Sequence, residues 1–427
     1  MPHTRVTDKP LKILVVLPMS GGSLPIGRYC ASALESMGHT VKVFEAPAFQ
    51  SAFAALKEVG VTSDRLEQLE NGFLQVISQA ITAQAETFEP HMVLALAQAP
   101  MGRALLRRLR KMGIATAMWF VEDYRIFTYW RAFAPLYDVF AAIQKEPFLT
   151  QLHEVGQKNA MYLPLAALPE FHKPLNLGPA ERALWGADIA FMGAGYPNRR
   201  VAFRPLARRG LKIWGTEWDG DCELAPCVQQ GGRRISPEEC VKIYNATRIN
   251  INLHSSVQCD DLVPPGDFVN PRTFELGAVG AFQLVDKRAL MDELFDGDAL
   301  VTFGSHEEFL RQVDYYLAHP AECAELGQKA RAVVLERHTY QHRMQALIDH
   351  TAHCLPGWPR MQQGAALPEE LPESLRAPLQ ALLTELQLPT DTPFADVVGR
   401  LRARSGQLSE LETTLLFLDE WRKQYTR

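Results

Sequence analysis

The sequence predicts an α/β chain with two doubly wound, parallel-sheet domains followed by a small helical extension. Three observations lead there. Continuous apolar runs of strand length recur as far as Phe303, segments of helical length separate them, and Pro164, Pro169, Pro174 and Pro179 break the series in two. At 427 residues the chain also exceeds what one hydrophobic core usually serves, so two domains of about 150 to 200 residues each are expected.

In order, the run Leu11 to Pro18 (LKILVVLP) has the composition of a strand buried on both faces. The turn Ser20-Gly21-Gly22-Ser23 leads into a helix over Ile26 to Met37, which Gly38 stops before the strand His39 to Glu45. That turn lacks GxGxxG spacing; it reads either as a plain tight turn or as one whose free N–H groups approach a phosphate or an acceptor. A long helix over Thr62 to Thr87, the strand Met92 to Gln98, the helix Gly102 to Met112 and the strand Ala115 to Val121 continue the alternation, followed by Val139 to Gln144, Glu146 to Val155 and Ala160 to Leu165. Ligands of doubly wound sheets bind beyond the carboxyl ends of strands. The end at Trp119 to Arg125 (WFVEDYR) is the notable one: Asp123 beside Tyr124 has the chemistry to orient or deprotonate an acceptor hydroxyl, or is a loop carboxylate paired with Arg125. The helix carrying Arg103, Arg107, Arg108, Arg110 and Lys111 reads as a solvated basic face, with an anionic lipid or glycan surface as the alternative.

A second series opens with the strand Asp188 to Ala194 and the loop Gly193-Ala194-Gly195-Tyr196-Pro197-Asn198-Arg199-Arg200. Asn198 stands where a dinucleotide fingerprint has its third glycine; the loop is a candidate diphosphate seat or a turn into a basic helix. The strand Leu211 to Trp214 ends in Gly215-Thr216-Glu217-Trp218, whose indole either stacks on a nucleobase or packs. Ser236-Pro237-Glu238-Glu239 is a capping box, and the strand Arg248 to Leu253 delivers His254, which hydrogen-bonds a ligand or serves structure. Then comes NPRTFELGAVGAFQLVD, Asn270 to Asp286: Pro271 at a first helical position, Arg272 and Glu275 on the first turn, small residues that let the helix approach a sheet or ligand closely, and a strand over Ala281 to Val285. A capping Glu beside a solvated Arg is the plainer reading of that first turn.

The run Glu275-Leu276-Gly277-Ala278-Val279-Gly280 resembles the signature of retaining GT-B glycosyltransferases, in which two acids separated by seven residues precede a small-residue helix and a strand. The upstream acid falls on Asp267, Asp standing where the pattern has Glu, and Phe282 stands where it usually has Pro. Arg272, Phe274 and Glu275 in the form Arg-x-Phe-Glu resemble the CgeB-like branch of group-1 glycosyltransferases. The resemblance covers residues 11 to 350. It implies two Rossmann-like domains facing a cleft, residues 1–167 for the acceptor and 180–337 for a nucleoside diphosphate sugar, with 338–354 as a helix crossing back and 355–427 outside it. It assigns the ribose hydroxyls to Glu275 and a catalytic place to Asp123 and Glu275. Around Glu275 the donor seat comprises Gly193, Gly195, Asn198, Arg199, Gly215, Trp218, His254, Asn270 and Arg272; the acceptor side comprises Gly21, Gly22, Asp123 and Tyr124.

The implied activity is transfer from a nucleotide sugar, UDP being the leading base, to a protein, glycan or lipid-linked acceptor, with retention and without an essential metal or other cofactor. Asp219-Gly220-Asp221 and Asp296-Gly297-Asp298 both read DxD but are ordinary turn compositions. An epimerase on the same fold and a non-catalytic sugar- or nucleotide-binding scaffold are the rivals. Lys plus Arg number 44 against 49 Asp plus Glu, a net charge of −5, which gives no global footprint for nucleic acid. Seven cysteines without metal spacing (Cys222 and Cys227 lack a second pair), no apolar run of about 18 residues and no secretory leader imply a cytoplasmic protein with at most peripheral membrane contact. The Leu-, Glu- and Arg-rich tail reads as a helical appendage for a partner or a dimer.

Overall fold

The computed structural model describes residues 10–256, 266–295, 297–359, 372–390, 392, 394–402, 404 and 406–425. The first lobe alternates β1 (Lys12–Val16), α1 (Ser23–Ser36), β2 (Thr40–Phe44), α2 (Gln50–Ala55), α3 (Ser63–Phe88), β3 (Met92–Leu96), α4 (Arg103–Lys111), β4 (Ala115–Phe120), α5 (Trp130–Phe133), β5 (Val139–Ala142), α6 (Phe148–Glu154) and β6 (Ala160–Tyr162). The second runs α7 (Pro179–Trp185), β7 (Ala187–Met192), α8 (Pro197–Phe203), β8 (Leu211–Trp214), α9 (Pro237–Ala246), β9 (Thr247–Asn252), α10 (Pro271–Val279), β10 (Gln283–Asp286), α11 (Met291–Leu294), β11 (Val301–Phe303), α12 (His306–Ala318) and α13 (Pro320–Arg337). Helix α14 (Tyr340–Cys354) follows.

The sheet orders are β2-β1-β3-β4-β5-β6 and β11-β10-β9-β7-β8, with every strand pair parallel. Each lobe is thus doubly wound, with its strand order reversing between its first and third strands. Those crevices, β1/β3 and β7/β9, are where such sheets bind ligands. Strands β3 and β4 are buried along their whole length, as continuous apolar runs covered on both faces must be.

Two features differ from the sequence reading. Residues 46–59, between the predicted strand to Glu45 and the predicted helix from Thr62, form short helical turns around α2. Gly277 of α10 and Gly280 at its end meet a helix, α13. A Cβ on Gly277 would lie 2.7 Å from Val334 Cγ2, and one on Gly327 would lie 2.3 Å from the Gly280 carbonyl oxygen, so the glycines let α10 and α13 approach backbone to side chain.

The chain crosses between lobes twice, and the crossings are tied together. Ala167 N–H donates to the His338 carbonyl (3.0 Å) and Tyr340 N–H to the Ala167 carbonyl (2.9 Å). Helix α14 then packs back on α1, where the Tyr29 and Tyr340 rings lie 5.5 Å apart. Buried Arg343 donates to the carbonyls of Pro164 (2.7 Å), Leu165 (3.1 Å) and Arg337 (3.1 Å). Residues 357–427 form a separate compact unit. There α15 (Glu373–Glu385), α16 (Phe394–Arg402) and α17 (Glu410–Tyr425) enclose Leu382, Leu383, Val397, Leu401 and Leu415.

His338 sits at the second crossing, buried, with Nδ1 accepting from Arg343 Nη2 (2.7 Å) and Nε2 facing the Leu294 carbonyl. Burial first, and Arg343 second, push its pKa from 6.5 down to about 4. The unfolded chain therefore takes up this proton more readily, so the stability His338 contributes is intact above pH 6.5 and is lost as pH falls towards 4, by up to about 1.4 kcal/mol per pH unit. Urea unfolding across this window is expected to show a declining midpoint, and His338→Gln, which keeps both hydrogen bonds without titrating, a shallower decline. An identical slope in the variant would contradict this account.

Candidate donor and acceptor sites

Helix α10 is the centre of the second-lobe site. Asn270 caps it, its Oδ1 accepting from Thr273 N–H (3.1 Å), and Gly280 ends it in the left-handed region. The cap is fixed by a buried polar network. Asn270 Nδ2 donates to Asn252 Oδ1 (2.8 Å), while Asn252 Nδ2 reaches Thr273 Oγ1 (2.9 Å) and Gln283 Oε1 (3.0 Å). His254 Nδ1 pairs with Asp286 Oδ1 (2.7 Å), leaving Nε2 to accept Asn270 N–H (3.0 Å). Asp286 is fully buried and also ion-paired with Arg288. Burial opposes its charge, yet His254 and Arg288 hold its pKa below the usual carboxylate value; burial lowers the pKa of His254. His254 is therefore placed to position Asn270, both of its ring nitrogens being engaged.

The Gly193 loop lies at the β7/β9 crevice. A Cβ on Gly195 would fall 2.1 Å from the Glu217 carbonyl oxygen, and one on Gly215, at φ +123°, would fall 2.5 Å from the Gly193 carbonyl oxygen. Only glycine allows these two loops to touch. Asn198 and Arg199 are buried. Asn198 joins the His254 carbonyl (2.9 Å) to Ser256 N–H (3.0 Å), and Arg199 donates to the carbonyls of Leu253 (2.8 Å) and Ala194 (3.0 Å). Arg200 likewise serves Gly195 (2.8 Å), Glu217 and Asp219 (3.0 Å). Trp218 is packed in the core beside Phe191 and Phe203, its Nε1 donating to the Gly193 carbonyl (3.0 Å). The indole thus holds the loop from inside and offers no open face to a base.

Arg272 remains. Its guanidinium lies over Phe191 (5.3 Å), 3.3 Å from where a Gly193 Cβ would be; it has no ion pair among the described residues, and its Nε is buried without a hydrogen-bond partner. Arg199 lies over the same ring (4.9 Å), and burial followed by repulsion from Arg272 pulls its pKa down to about 9. One turn on, Glu275 is 16% exposed, with Oε2 accepting from Tyr244 (3.2 Å) and Oε1 3.8 Å from His172 Nε2. Burial and Glu275 keep Tyr244 a neutral donor. Acceptor positions of this carboxylate remain for hydroxyl groups.

On the first lobe, Asp123 is taken up by its neighbour. It accepts from Arg125 N–H (2.9 Å), Nε (3.1 Å) and Nη2 (2.9 Å), and these bonds outweigh burial to hold its pKa low. Tyr124 is stacked on Phe148 (4.5 Å). Gly21, at φ +99°, and Gly22 precede Ser23, whose Oγ donates to Glu122 Oε1 (3.2 Å). Burial raises the Glu122 pKa, and Ser23 offsets only part of that. Asp267 crosses to the first lobe, accepting from Gln144 Nε2 (3.0 Å) and Lys145 N–H (3.3 Å), while Gln144 Oε1 accepts from Tyr124 N–H (3.0 Å). Glu122, Tyr244, His172 and Asp286 were not singled out from sequence. The strand-end rule reaches Asp286 and Glu122, whereas nothing local marks Tyr244 or His172. Of the DxD stretches, Asp221 caps Leu224 and pairs with Arg204 (3.1 Å), Asp298 pairs with Lys329 (3.1 Å), and Asp296 lies outside the described residues. No cluster of three or more His, Cys, Asp or Glu arranged for a metal occurs among the described residues, and no described helix is long and apolar enough to cross a membrane.

Residues 199–349 match a family model described as "Glycosyl transferase-like". No curated protein matches the chain. Among solved structures, a glycosyltransferase from Rickettsia africae is similar over 82% of this chain and 99% of its own (TM-score 0.56, 12% identity). Sucrose-phosphate synthase from Thermosynechococcus elongatus is similar over 80% and 98% (0.54, 12%), and Anabaena HepE in complex with UDP-glucose over 80% and 100% (0.55, 12%). The chain has the GT-B fold, and its second lobe carries the glycosyl transferase-like segment.

His254→Phe removes the imidazole partner of Asp286, which keeps Arg288 and the residue-254 N–H, and removes the acceptor of Asn270 N–H. It is expected to cost about 2 to 4 kcal/mol in urea unfolding and to speed amide exchange at Thr273. Wild-type exchange there would rule out the positioning role.

Proposed function

We propose that this chain is a glycosyltransferase that takes a sugar from a nucleoside diphosphate sugar, with UDP the leading base, and that the diphosphate lies between Arg272 and the Gly193 loop. The observation that carries this is the Arg272–Phe191–Arg199 cluster: two cations on one ring, neither in an ion pair among the described residues and Arg199 spent on backbone carbonyls, at the crevice where a doubly wound sheet binds ligands. An anion placed there meets a guanidinium fork and the positive end of α10. Glu275, one turn further, takes the ribose hydroxyls. The GT-B fold and the family match over residues 199–349 support the reading, as does the UDP-glucose bound by the fold-similar HepE.

Charge developing on the departing diphosphate is stabilised by Arg272 and the α10 N-terminus, without a resident metal. Retention of anomeric configuration is part of the proposal and rests on the Glu275 to Gly280 run with its upstream acid; membership of the CgeB-like branch is also part of it and rests on the Arg272-x-Phe274-Glu275 form.

Calorimetry with UDP, GDP, ADP and TDP is expected to find one tight binder. Arg272→Ala and Glu275→Ala should each weaken it at least tenfold, about 1.4 kcal/mol, with EDTA leaving affinity unchanged. Chromatography of nucleotide sugars after incubation separates transfer or hydrolysis from an epimerised donor and from binding without turnover. Unchanged affinity in both variants would remove the site; an isomerised donor would replace the reaction.

A further inference from the structure

One cavity lies away from the donor seat. A groove of about 1230 Å³ runs on the first lobe between α3 and α4, floored by Leu105, Met118 and Tyr137. At Met19, Phe53 and Gln98 it continues into a smaller hollow of about 260 Å³. Pockets for small ligands usually hold about 300 to 1000 Å³, so the groove has room for something longer than one ring.

Its lining has a particular chemistry. Asn71, Gln75 and Gln79 stand at four-residue spacing along one face of α3, and Gln98 stands at the β3 end; none of these four amides makes a side-chain hydrogen bond among the described residues. Phe53, Tyr129 and Phe133 are its aromatic lining. Charge is nearly cancelled: Glu86 and Arg108 pair with each other, and Arg103 lies over Phe133 (5.5 Å). Amides both donate and accept, as hydroxyl groups do, and rings cover the apolar faces of pyranoses. Within the groove an occupant with several negative charges would find only Arg103 uncompensated, with Lys57 at the adjoining hollow.

The groove also leads somewhere. Met19 and Gln98 follow β1 and β3, the pair flanking the first lobe's switch point, and a Cβ on Gly21 would lie 3.5 Å from Gln98 Oε1. Tyr129, which accepts Gln98 N–H (2.8 Å), feels the charge of Glu122, and Glu122 is held by Ser23 beside the same Gly21 turn.

We propose that this groove is the acceptor site and that the acceptor is a neutral oligosaccharide, laid along α3 with its reacting end at the Gly21–Glu122 turn. The proposal rests on the transferase reading for its role and not for its binding, so the two can fail separately. In the transfer it serves, an acceptor hydroxyl forms the new bond to the anomeric carbon, the bond to the diphosphate oxygen breaks, and that oxygen leaves with the electron pair and takes the hydroxyl proton.

The test uses the full chain and needs no donor for its first arm. Calorimetric titration with maltotetraose, cellotetraose, chitotetraose and mannotetraose is expected to find at least one saturable binder. The double variant Gln75→Ala, Gln79→Ala, on an exposed helix face where alanine is well tolerated, should weaken it at least tenfold while UDP affinity stays at the wild-type value. In the second arm, the same variant should raise the KM for that acceptor with little change in kcat. No binding by any of the four, binding untouched by the double variant, or equal glycosylation of a peptide or a polyprenyl phosphate by wild type and variant would each overturn the proposal. Loss of UDP binding in the wild type would instead sink the donor reading, with the first arm still deciding the groove.

Discussion

A single buried carboxylate organises the second lobe. Asp286 ends β10 with no exposure to solvent, and an unpaired charge there would cost several kcal/mol. Arg288 and His254 satisfy it, and each consequence follows from that. Because His254 gives its Nδ1 to Asp286, its Nε2 is left to accept from Asn270, and Asn270 in turn sets where α10 begins. Arg272 and Glu275 are carried on that first turn. The chemistry proposed for the cleft side of α10 thus depends on a charge that itself never meets a ligand.

The same economy explains why most of the arginines near the Gly193 loop are not ligand groups. Arg199 and Arg200 spend their N–H groups on carbonyls of Ala194, Gly195, Glu217 and Leu253, which a glycine-rich loop leaves without regular partners. They tie the loop down, whereas Arg272, which meets Tyr244, spends none of its N–H groups on that loop's carbonyls. The depressed pKa of Arg199 reflects its burial first and the neighbouring Arg272 charge second, and an arriving diphosphate would offset that repulsion.

Much of the fold was legible because its signals are local. Apolar runs, the Ser236–Glu239 capping box, Pro271 at the start of α10 and Gly280 at its end are all written within a few residues, and the structure has each. The site was legible only by residue type and place. Asp123 reads either as an acid that orients a hydroxyl or as a loop carboxylate paired with Arg125, and the structure has the pair. Trp218 reads as an indole that either stacks on a nucleobase or packs, and Phe191 and Phe203 close over it. Asp267 reads as one of a pair with Glu275, yet it bonds Gln144 on the other lobe, a partner 123 positions away that no local pattern can indicate. The small residues of α10 announce a close approach without saying to what; the answer, α13, lies some fifty residues downstream.

The adjacent acids Glu122 and Asp123 show how the first lobe can sort two chemically similar groups. Asp123 is drawn down by three bonds from Arg125 and stays ionised, so it is a weak proton acceptor at neutral pH. Glu122 has one hydroxyl donor, Ser23, and a burial cost that raises its pKa. Where environments push two carboxylates in opposite directions, the raised one is suited to exchanging a proton and the lowered one to fixing geometry. Asp123 accordingly shapes the loop over Tyr124 and Gln144, and it is Glu122, beside the Gly21 turn, whose charge state an incoming hydroxyl would sense.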